Sequence, residues 1–453
     1  MKFNEVLDCI KIGNFKKAIK ILNNIEKLDN KNFQKFFLLA VSYNGINNLD
    51  KSIECLNKCI ILKPDFIQGL EFLAELYLFK GNIKSAENIY KKILKIDKNH
   101  LSTYYKLIEI NDKSVNELTQ KNIKKLLNTE KISAENKALG YFILADYEKR
   151  NKNFKLEIDY LDKSHENFFN QRLKSNKQSL YYYSKIIPRF YNSISYSSNE
   201  VKTLDKISPI FIVGLPRSGS TLIESILQSS NQKISSLGES SIINFSVVDQ
   251  IRDLIFDKNF KIENFNFKLN LNSISNKIFS KLDQIKIQNN SENIYFIDKS
   301  LENFFYIEII LKIFPNAKII NMNRNFRHSI IAIYKKLLPL ISWSNSINDI
   351  LDYIDNYLKI IKYYKIKYPK KIYDLSLDDL ADNPKITTKS VFKFCELEWS
   401  SSCLSYLKRK EIISKTSSNV QIRKEIFKYD NKKFNDYNFV LKKFEKNYPW
   451  LKN

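Results

Sequence analysis

Ser208-Pro209-Ile210-Phe211-Ile212-Val213-Gly214-Leu215-Pro216-Arg217-Ser218-Gly219-Ser220-Thr221-Leu222-Ile223-Glu224-Ser225-Ile226-Leu227 is the stretch on which the reading of this chain turns. The apolar run from Ile210 to Val213 predicts a buried parallel strand, and the spacing from Leu222 onward predicts an amphipathic helix. Between them, Gly214 and Gly219 permit close backbone approach and unusual dihedrals, so that NH groups at the helix start converge on an anion. The hydroxyls of Ser218, Ser220 and Thr221 add donors, and Arg217 adds positive charge from inside the loop. The spacing Gly-x4-Gly is that of a nucleoside-triphosphate loop, but Ser220 stands where that loop requires Lys. The nearest strand that could bring a magnesium-binding Asp, Ala317 to Met322, runs instead into Asn323-Arg324. A β,γ-phosphate site is therefore poorly supported, and a single terminal phosphate fits better.

Ahead of this stretch the chain repeats itself. Gly13-Asn14-Phe15-Lys16-Lys17-Ala18, Asn47-Asn48-Leu49-Asp50-Lys51-Ser52 and Gly81-Asn82-Ile83-Lys84-Ser85-Ala86 recur at steps of 34 residues, as do Tyr43 and Tyr77, and Asn30, Pro64 and Lys98. Apolar positions such as Ala18, Ile21, Leu22 and Ile25 have helical spacing, and Pro64 is a natural helix stop. The pattern resembles the tetratricopeptide repeat, with a small residue (Ala18, Ser52, Ala86) where two helices approach. Three units cover residues 1 to about 103, and Lys152-Asn153-Phe154-Lys155 echoes the turn in a diverged unit around Lys137 to Phe169. There Glu157 stands in the small residue's place. Tyr-rich helix is expected over 170–200. A stacked array of this kind either holds a peptide on its concave surface or serves as a collar for the domain behind it.

At 453 residues the chain has room for two or three compact units. Its net charge of +25 comes mostly from Lys spread evenly among Asn, Ile and Ser, without a basic run, so no nucleic-acid partner is expected. With only nine Arg in the chain, an Arg inside a motif says more than any Lys. Five Cys and three His show no CxxC or zinc spacing, so neither a metal nor a disulfide framework is expected. The N-terminus lacks the pattern of a secretory signal and no stretch is apolar enough to span a membrane, so a cytoplasmic, reducing compartment is the expectation.

Pro216-Arg217-Ser218-Gly219-Ser220-Thr221-Leu222 resembles the 5′-phosphosulfate-binding loop of sulfotransferases, which use 3′-phosphoadenosine 5′-phosphosulfate as donor. With the repeats, the chain resembles the bacterial tetratricopeptide-repeat sulfotransferases, and its catalytic half is similar to tyrosylprotein sulfotransferase. The resemblance implies roles for particular residues. Glu239, in Ser236-Leu237-Gly238-Glu239-Ser240, matches the position of the catalytic base. Lys299, in Phe296-Ile297-Asp298-Lys299-Ser300-Leu301-Glu302-Asn303, matches the Lys assigned to the bridging oxygen between sulfur and phosphate. Arg324 matches the anchor of the 3′-phosphate. The family's Ser eight positions after that Arg is Ala332 here, and its Asp-Pro is Asn325-Phe326; Ser329, one turn earlier on nearly the same face, is a partial replacement for the hydroxyl. Lys415-Thr416-Ser417-Ser418-Asn419-Val420-Gln421-Ile422-Arg423 resembles the late segment that closes over the nucleotide. On that match Ser418 works beside the Lys, while Gln421 and Arg423 touch the donor; the family's next Pro is Glu425. No His lies in the context of a catalytic base.

The expected architecture is an α-helical tetratricopeptide-like solenoid followed by an α/β three-layer P-loop-like sulfotransferase domain with a parallel sheet. Its divisions are repeats over 1–135, further helices and connector over 136–204, and the sulfotransferase domain over 205–453. Ile350, Leu351, Tyr353, Ile354, Tyr357, Leu358, Ile361 and Tyr364 predict a core-facing helix, and Ile372 to Leu375 another parallel strand. Three functional readings follow: an active sulfotransferase whose repeats help present a peptide or glycan hydroxyl, a binding scaffold that has lost turnover, and a nucleotide-dependent kinase or NTPase, which Ser220 disfavours. The acceptor has no readable code, and a homodimer stays open.

Overall fold

The computed structural model describes residues 2–24, 32–129, 132–197, 201, 203, 207–230, 234–256, 267–284, 295–408 and 431–452. Among these, residues up to Asn153 form one compact unit and those from Phe154 onward a second. Helix Ala134–Arg150 thus belongs with the first, and helices Phe154–Gln171 and Leu173–Tyr181 with the second.

In the first unit, helix Lys2–Lys11 pairs with Phe15–Asn23, Phe33–Gly45 with Leu49–Leu62, and Ile67–Phe79 with Ile83–Ile96. The corners between partners are built alike. Gly13, Asn47 and Gly81 have φ of 77°, 60° and 78°. The residue after each sends its N–H back five positions, Asn14 to Cys9, Asn48 to Tyr43 and Asn82 to Tyr77, each at 2.8 Å. The side chains of those three Asn then accept from the N–H groups of Lys17, Lys51 and Ser85, a cap contributing about 1 kcal/mol apiece. Ala18, Ser52 and Ala86 are fully buried where the helices cross, and Ser52 satisfies its hydroxyl on the Ala40 carbonyl at 2.7 Å. Side chains such as Leu22, Leu56 and Leu76 are excluded from water, each contributing roughly 1.5–3 kcal/mol.

The Asn register runs one step beyond the three expected units. Asn116, 34 residues after Asn82, accepts from the Thr119 N–H at 2.9 Å and caps helix Glu117–Leu127. Its corner is made by a 3-10 turn over Asp112–Ser114 in place of a left-handed residue. Gln120 occupies the small residue's slot and is buried, its amide 3.4 Å from Glu148. At the diverged turn the left-handed form returns: Lys152 has φ 61° and Asn153 sends its N–H to the Glu148 carbonyl at 3.0 Å.

The second unit contains seven strands among its described residues: β1 Ile194–Tyr196, β2 Ile210–Gly214, β3 Ser235–Ser236, β4 Phe267–Leu269, β5 Phe296–Asp298, β6 Lys318–Asn323 and β7 Ile372–Ser376. Five of them form one parallel sheet in the order β3-β5-β2-β6-β7, while β1 pairs with β4. Every residue of β2 is buried, as a central parallel strand covered on both faces requires. Gly214 of β2 pairs with Met322 of β6, and Phe211 with Asp298 of β5. Later strands lie to either side of β2, so the connections leaving its carboxyl end and those of its neighbours diverge there, opening the crevice in which such sheets bind ligands.

Helix Phe154–Gln171 is fixed to helix Phe326–Tyr334 by buried polar groups. His165 Nε2 lies 2.7 Å from the Tyr334 carbonyl, and Glu157, 1% exposed, pairs with Lys335 at 2.7 Å and accepts from the Tyr437 hydroxyl at 2.6 Å. This is how a carboxylate comes to stand where the first three corners bury a small residue. No helix of the described residues is long and apolar enough to cross a membrane.

Candidate active site

β2 delivers the chain into the loop and on to helix Ser220–Gln228. Gly214 has φ 138°, and a Cβ there would stand 2.7 Å from the Met322 carbonyl oxygen; at Gly219, with φ 90°, it would stand 2.6 Å from Leu377 Cδ1. Both positions need glycine. Arg217 holds φ 67° as a non-glycine residue, a conformation that costs roughly 1–2 kcal/mol. Its carbonyl is turned onto Arg324, whose Nη1 donates to it at 2.9 Å. Ser218 Oγ donates to the Leu215 carbonyl at 2.7 Å, so this hydroxyl closes the loop from within. Ser218, Ser220 and Thr221 are all buried, while Pro216 and Arg217 are partly exposed.

Lys299 follows directly on β5 and is fully buried. Its Nζ lies 2.6 Å from Glu239 Oε1 and 3.9 Å from Glu224 Oε2. Glu224 belongs to the helix that starts at the loop, so the cation, the carboxylate of Glu239 and the loop helix meet at one edge of the sheet. The Lys299 N–H donates to the Gly238 carbonyl at 2.8 Å, which fastens the Glu239 segment to the strand end. Ser236 Oγ donates to Glu224 Oε1 at 2.5 Å and accepts from the Gly238 N–H at 3.0 Å. Burial raises the Glu224 carboxyl above its usual range, with Lys299 and Ser236 pulling the other way.

Behind this pair lies a belt of buried polar groups. Asp298, 1% exposed, accepts from Ser240 Oγ at 2.6 Å, the Ser300 N–H at 2.8 Å and Asn303 Nδ2 at 3.1 Å. Ser241 donates its N–H to Ser300 Oγ and its hydroxyl to Glu302 Oε1, both at 2.8 Å. Burial raises the Asp298 and Glu302 carboxyls despite these bonds. The belt stitches the segment around Glu239 to the turn that carries Lys299, which holds the two side chains in register.

On the other side of β2, Arg324 follows β6. It is 9% exposed, its guanidinium lies 5.0 Å from the Phe434 ring, and burial followed by the nearby Arg217 charge brings its pKa down to about 10. Ser329, five residues on, is 1% exposed, and its hydroxyl has no hydrogen-bond partner among the described residues. A buried orphan hydroxyl of this kind costs about 1–3 kcal/mol unless something satisfies it. The loop, Glu239, Lys299, Arg324 and Ser329 therefore all follow the carboxyl ends of four adjacent strands, β3, β5, β2 and β6. Ser418, Gln421 and Arg423 lie outside the described residues.

Two contributors had not been expected. Glu224 was legible as the one carboxylate of helix Ser220–Gln228, four residues after Ser220, whereas nothing in the sequence marks Phe434. As a whole the site can hold an anion on backbone N–H groups and cations, beside a carboxylate that is itself open to solvent. Among the described residues no group of three His, Cys, Asp or Glu is placed to hold a metal ion.

Residues 209–401 match the family described as "Sulfotransferase family", and residues 36–66 and 67–100 match "Tetratricopeptide repeat". An uncharacterized protein of Aquifex aeolicus (strain VF5) is 24% identical over 435 residues, covering 92% of this chain and 55% of that protein, so the chain spans about half the relative's length. The sulfotransferase domain from the Synechococcus PCC 7002 olefin synthase aligns at 13% identity and TM-score 0.36, over 54% of this chain and 98% of that one. The crystal structure of MamA aligns at 17% identity and TM-score 0.29, over 38% of this chain and 95% of that one.

Proposed function

On the premise that residues 209–401 form a sulfotransferase-family domain preceded by tetratricopeptide repeats, we propose that this chain moves a sulfuryl group from 3′-phosphoadenosine 5′-phosphosulfate to a hydroxyl acceptor. A peptide tyrosine, a glycan or a small molecule would each serve as acceptor. The observation that carries the reading is the 2.6 Å contact of Lys299 with Glu239, made beside the helix that opens the anion loop.

The chain's own residues fit that donor. Backbone N–H groups from Gly219 to Thr221, with Arg217, suit its 5′-phosphosulfate, and the orphaned Ser329 hydroxyl beside the Arg324 segment suits its 3′-phosphate. In the reaction the acceptor oxygen bonds to sulfur, the bond between sulfur and the phosphate oxygen breaks, and its electron pair stays with the phosphate. Glu239 takes the acceptor's proton, worth roughly 10² to 10⁴-fold. Lys299 neutralises the charge that develops on the departing phosphate, worth roughly 10² to 10³-fold. Resemblance adds Ser418 beside Lys299, and Gln421 and Arg423 against the nucleotide. The repeats then present a peptide or protein acceptor.

Thermal unfolding with 3′-phosphoadenosine 5′-phosphate, against ATP plus magnesium, tests the donor, because a ligand of the folded state raises its apparent stability. The bisphosphate is expected to protect. Protection by ATP alone would defeat the reading. Transfer of labelled sulfate to a panel of hydroxyl acceptors, lost in Glu239→Gln, tests the chemistry; donor binding without any transfer would leave a scaffold.

A further inference from the structure

The repeat unit carries a cleft of its own, about 270 Å³ in volume, between helices Ile67–Phe79 and Leu101–Ile110. It is smaller than the roughly 300–1,000 Å³ of small-molecule sites, a size for one long side chain. Glu71 and Glu75, one helical turn apart, line one wall with Phe72, Lys106 lines the other, and Tyr90 closes the cleft. Tyr90 is 1% exposed, and its hydroxyl has no hydrogen-bond partner among the described residues. Burial, with Glu75, Glu71 and Glu109 adding to it, raises the phenol's pKa, so the group stays protonated and neutral.

The charges in the cleft do not cancel. Lys106 Nζ lies 3.2 Å from Glu75. His100 Nδ1 is 3.9 Å from Glu71, beyond hydrogen-bond reach, and its short contact is with Thr103 Oγ1 at 2.9 Å. Two carboxylates thus face one permanent cation, within a chain whose net charge is +25. A local acidic hollow in so basic a protein attracts cations that the rest of the surface repels.

We propose that this cleft binds a lysine side chain of a peptide or protein partner. The ammonium has three N–H donors, and the cleft offers three accepting groups around one point: the carboxylates of Glu71 and Glu75 and the orphaned phenol oxygen of Tyr90. The methylene stem lies along the Phe72 ring. A guanidinium is a broad flat fork, whereas an ammonium is a compact point charge that a cleft of about 270 Å³ admits end-on. This deepens the reading of the repeats as an acceptor-presenting surface and is independent of the transfer chemistry.

The test is fluorescence polarisation of the full chain with a fluorescein-labelled dodecapeptide of alternating Gly and Lys, beside peptides bearing norleucine, Arg or Glu in the Lys positions. The lysine peptide is expected to bind best. The double variant Glu71→Gln/Glu75→Gln should weaken it by about 10-fold or more, and Tyr90→Phe by about 3 to 10-fold, as loss of hydrogen bonds to a charged group implies. Tyr90→Phe should also keep or raise the unfolding temperature, because it deletes only an unsatisfied hydroxyl. Equal binding of the norleucine peptide, tighter binding of the Arg or Glu peptide, or indifference to both variants would overturn the proposal. Failure here with bisphosphate protection intact leaves the sulfotransferase reading standing; the converse result leaves the cleft standing.

Discussion

Lys299 buries its ammonium against Glu239 at 2.6 Å, the two side chains being 0% and 59% exposed. The pair is asymmetric. Lys299→Ala removes the cation and strands Glu224 in the interior, so it should lower the unfolding temperature as well as cutting sulfate transfer by roughly 10² to 10³-fold. Glu239→Gln keeps an acceptor for the buried ammonium but removes its nearest counter-charge, so it should cut transfer by roughly 10² to 10⁴-fold and lower the unfolding temperature less than Lys299→Ala does. Paired transfer assays and thermal melts check both, and normal turnover in either variant would remove that residue from the chemistry.

Arg324 and Ser329 are expected to read the 3′-phosphate. Arg324→Ala should weaken 3′-phosphoadenosine 5′-phosphate by about 10 to 100-fold, the worth of charge-assisted hydrogen bonds of about 1.5–3 kcal/mol. Adenosine 5′-phosphosulfate, which lacks that phosphate, should lose far less. Ser329→Ala deletes a buried hydroxyl with no hydrogen-bond partner among the described residues, so stability should hold or rise while bisphosphate affinity falls. Calorimetric titration distinguishes these outcomes.

Two glycines in the loop should differ in their tolerance of a methyl group. At Gly214 the new Cβ would meet a backbone oxygen of Met322 at 2.7 Å, whereas at Gly219 it would meet the end of the Leu377 side chain at 2.6 Å. Both substitutions force an L-residue to positive φ. Leu377 can rotate and β6 cannot, so Gly214→Ala should lower the unfolding temperature more than Gly219→Ala.

Burial holds the Glu302 carboxyl above its ordinary value of 4.5. The folded state therefore binds this proton more tightly than the unfolded chain does. Stability falls as pH rises from the ordinary value through the raised one, and is constant with respect to this group outside that window. Glu302→Gln should flatten the decline of unfolding temperature across that window without abolishing it, since Glu224 and Asp298 are raised for the same reason. A melt series in buffers of increasing pH measures the slope, and an unchanged slope would exclude Glu302 from it.

Local signals were the legible ones. The apolar run at Ile210 to Val213 had to become a strand covered on both faces, and the spacing from Leu222 had to become a helix, because each buries what its periodicity presents. Glu239 and Lys299 were legible only through the order of short motifs, since the contact joins side chains 60 residues apart and neighbouring strands create it. The Asp298 belt was invisible for the same reason: serines at 240, 241 and 300 acquire meaning only when two strand ends stand side by side. In the repeats the small-residue signal fades after Ala86 while the Asn cap persists to Asn116, so the continuation of the register was marked by a quieter feature than the one followed. The division between compact units at Asn153 has no compositional mark at all.

Those repeated corners also say what drift the array can absorb. Each is closed by hydrogen bonds to the helix just before it, so its shape owes nothing to the residue at the crossing below. Ala, Ser and Glu can succeed one another in that slot while the left-handed bend survives, and Lys can replace Gly at the bend itself; only above Gln120 is the corner rebuilt as a 3-10 turn. What is inherited along this architecture is therefore a manner of turning, with the cargo of each helix face left free to diverge.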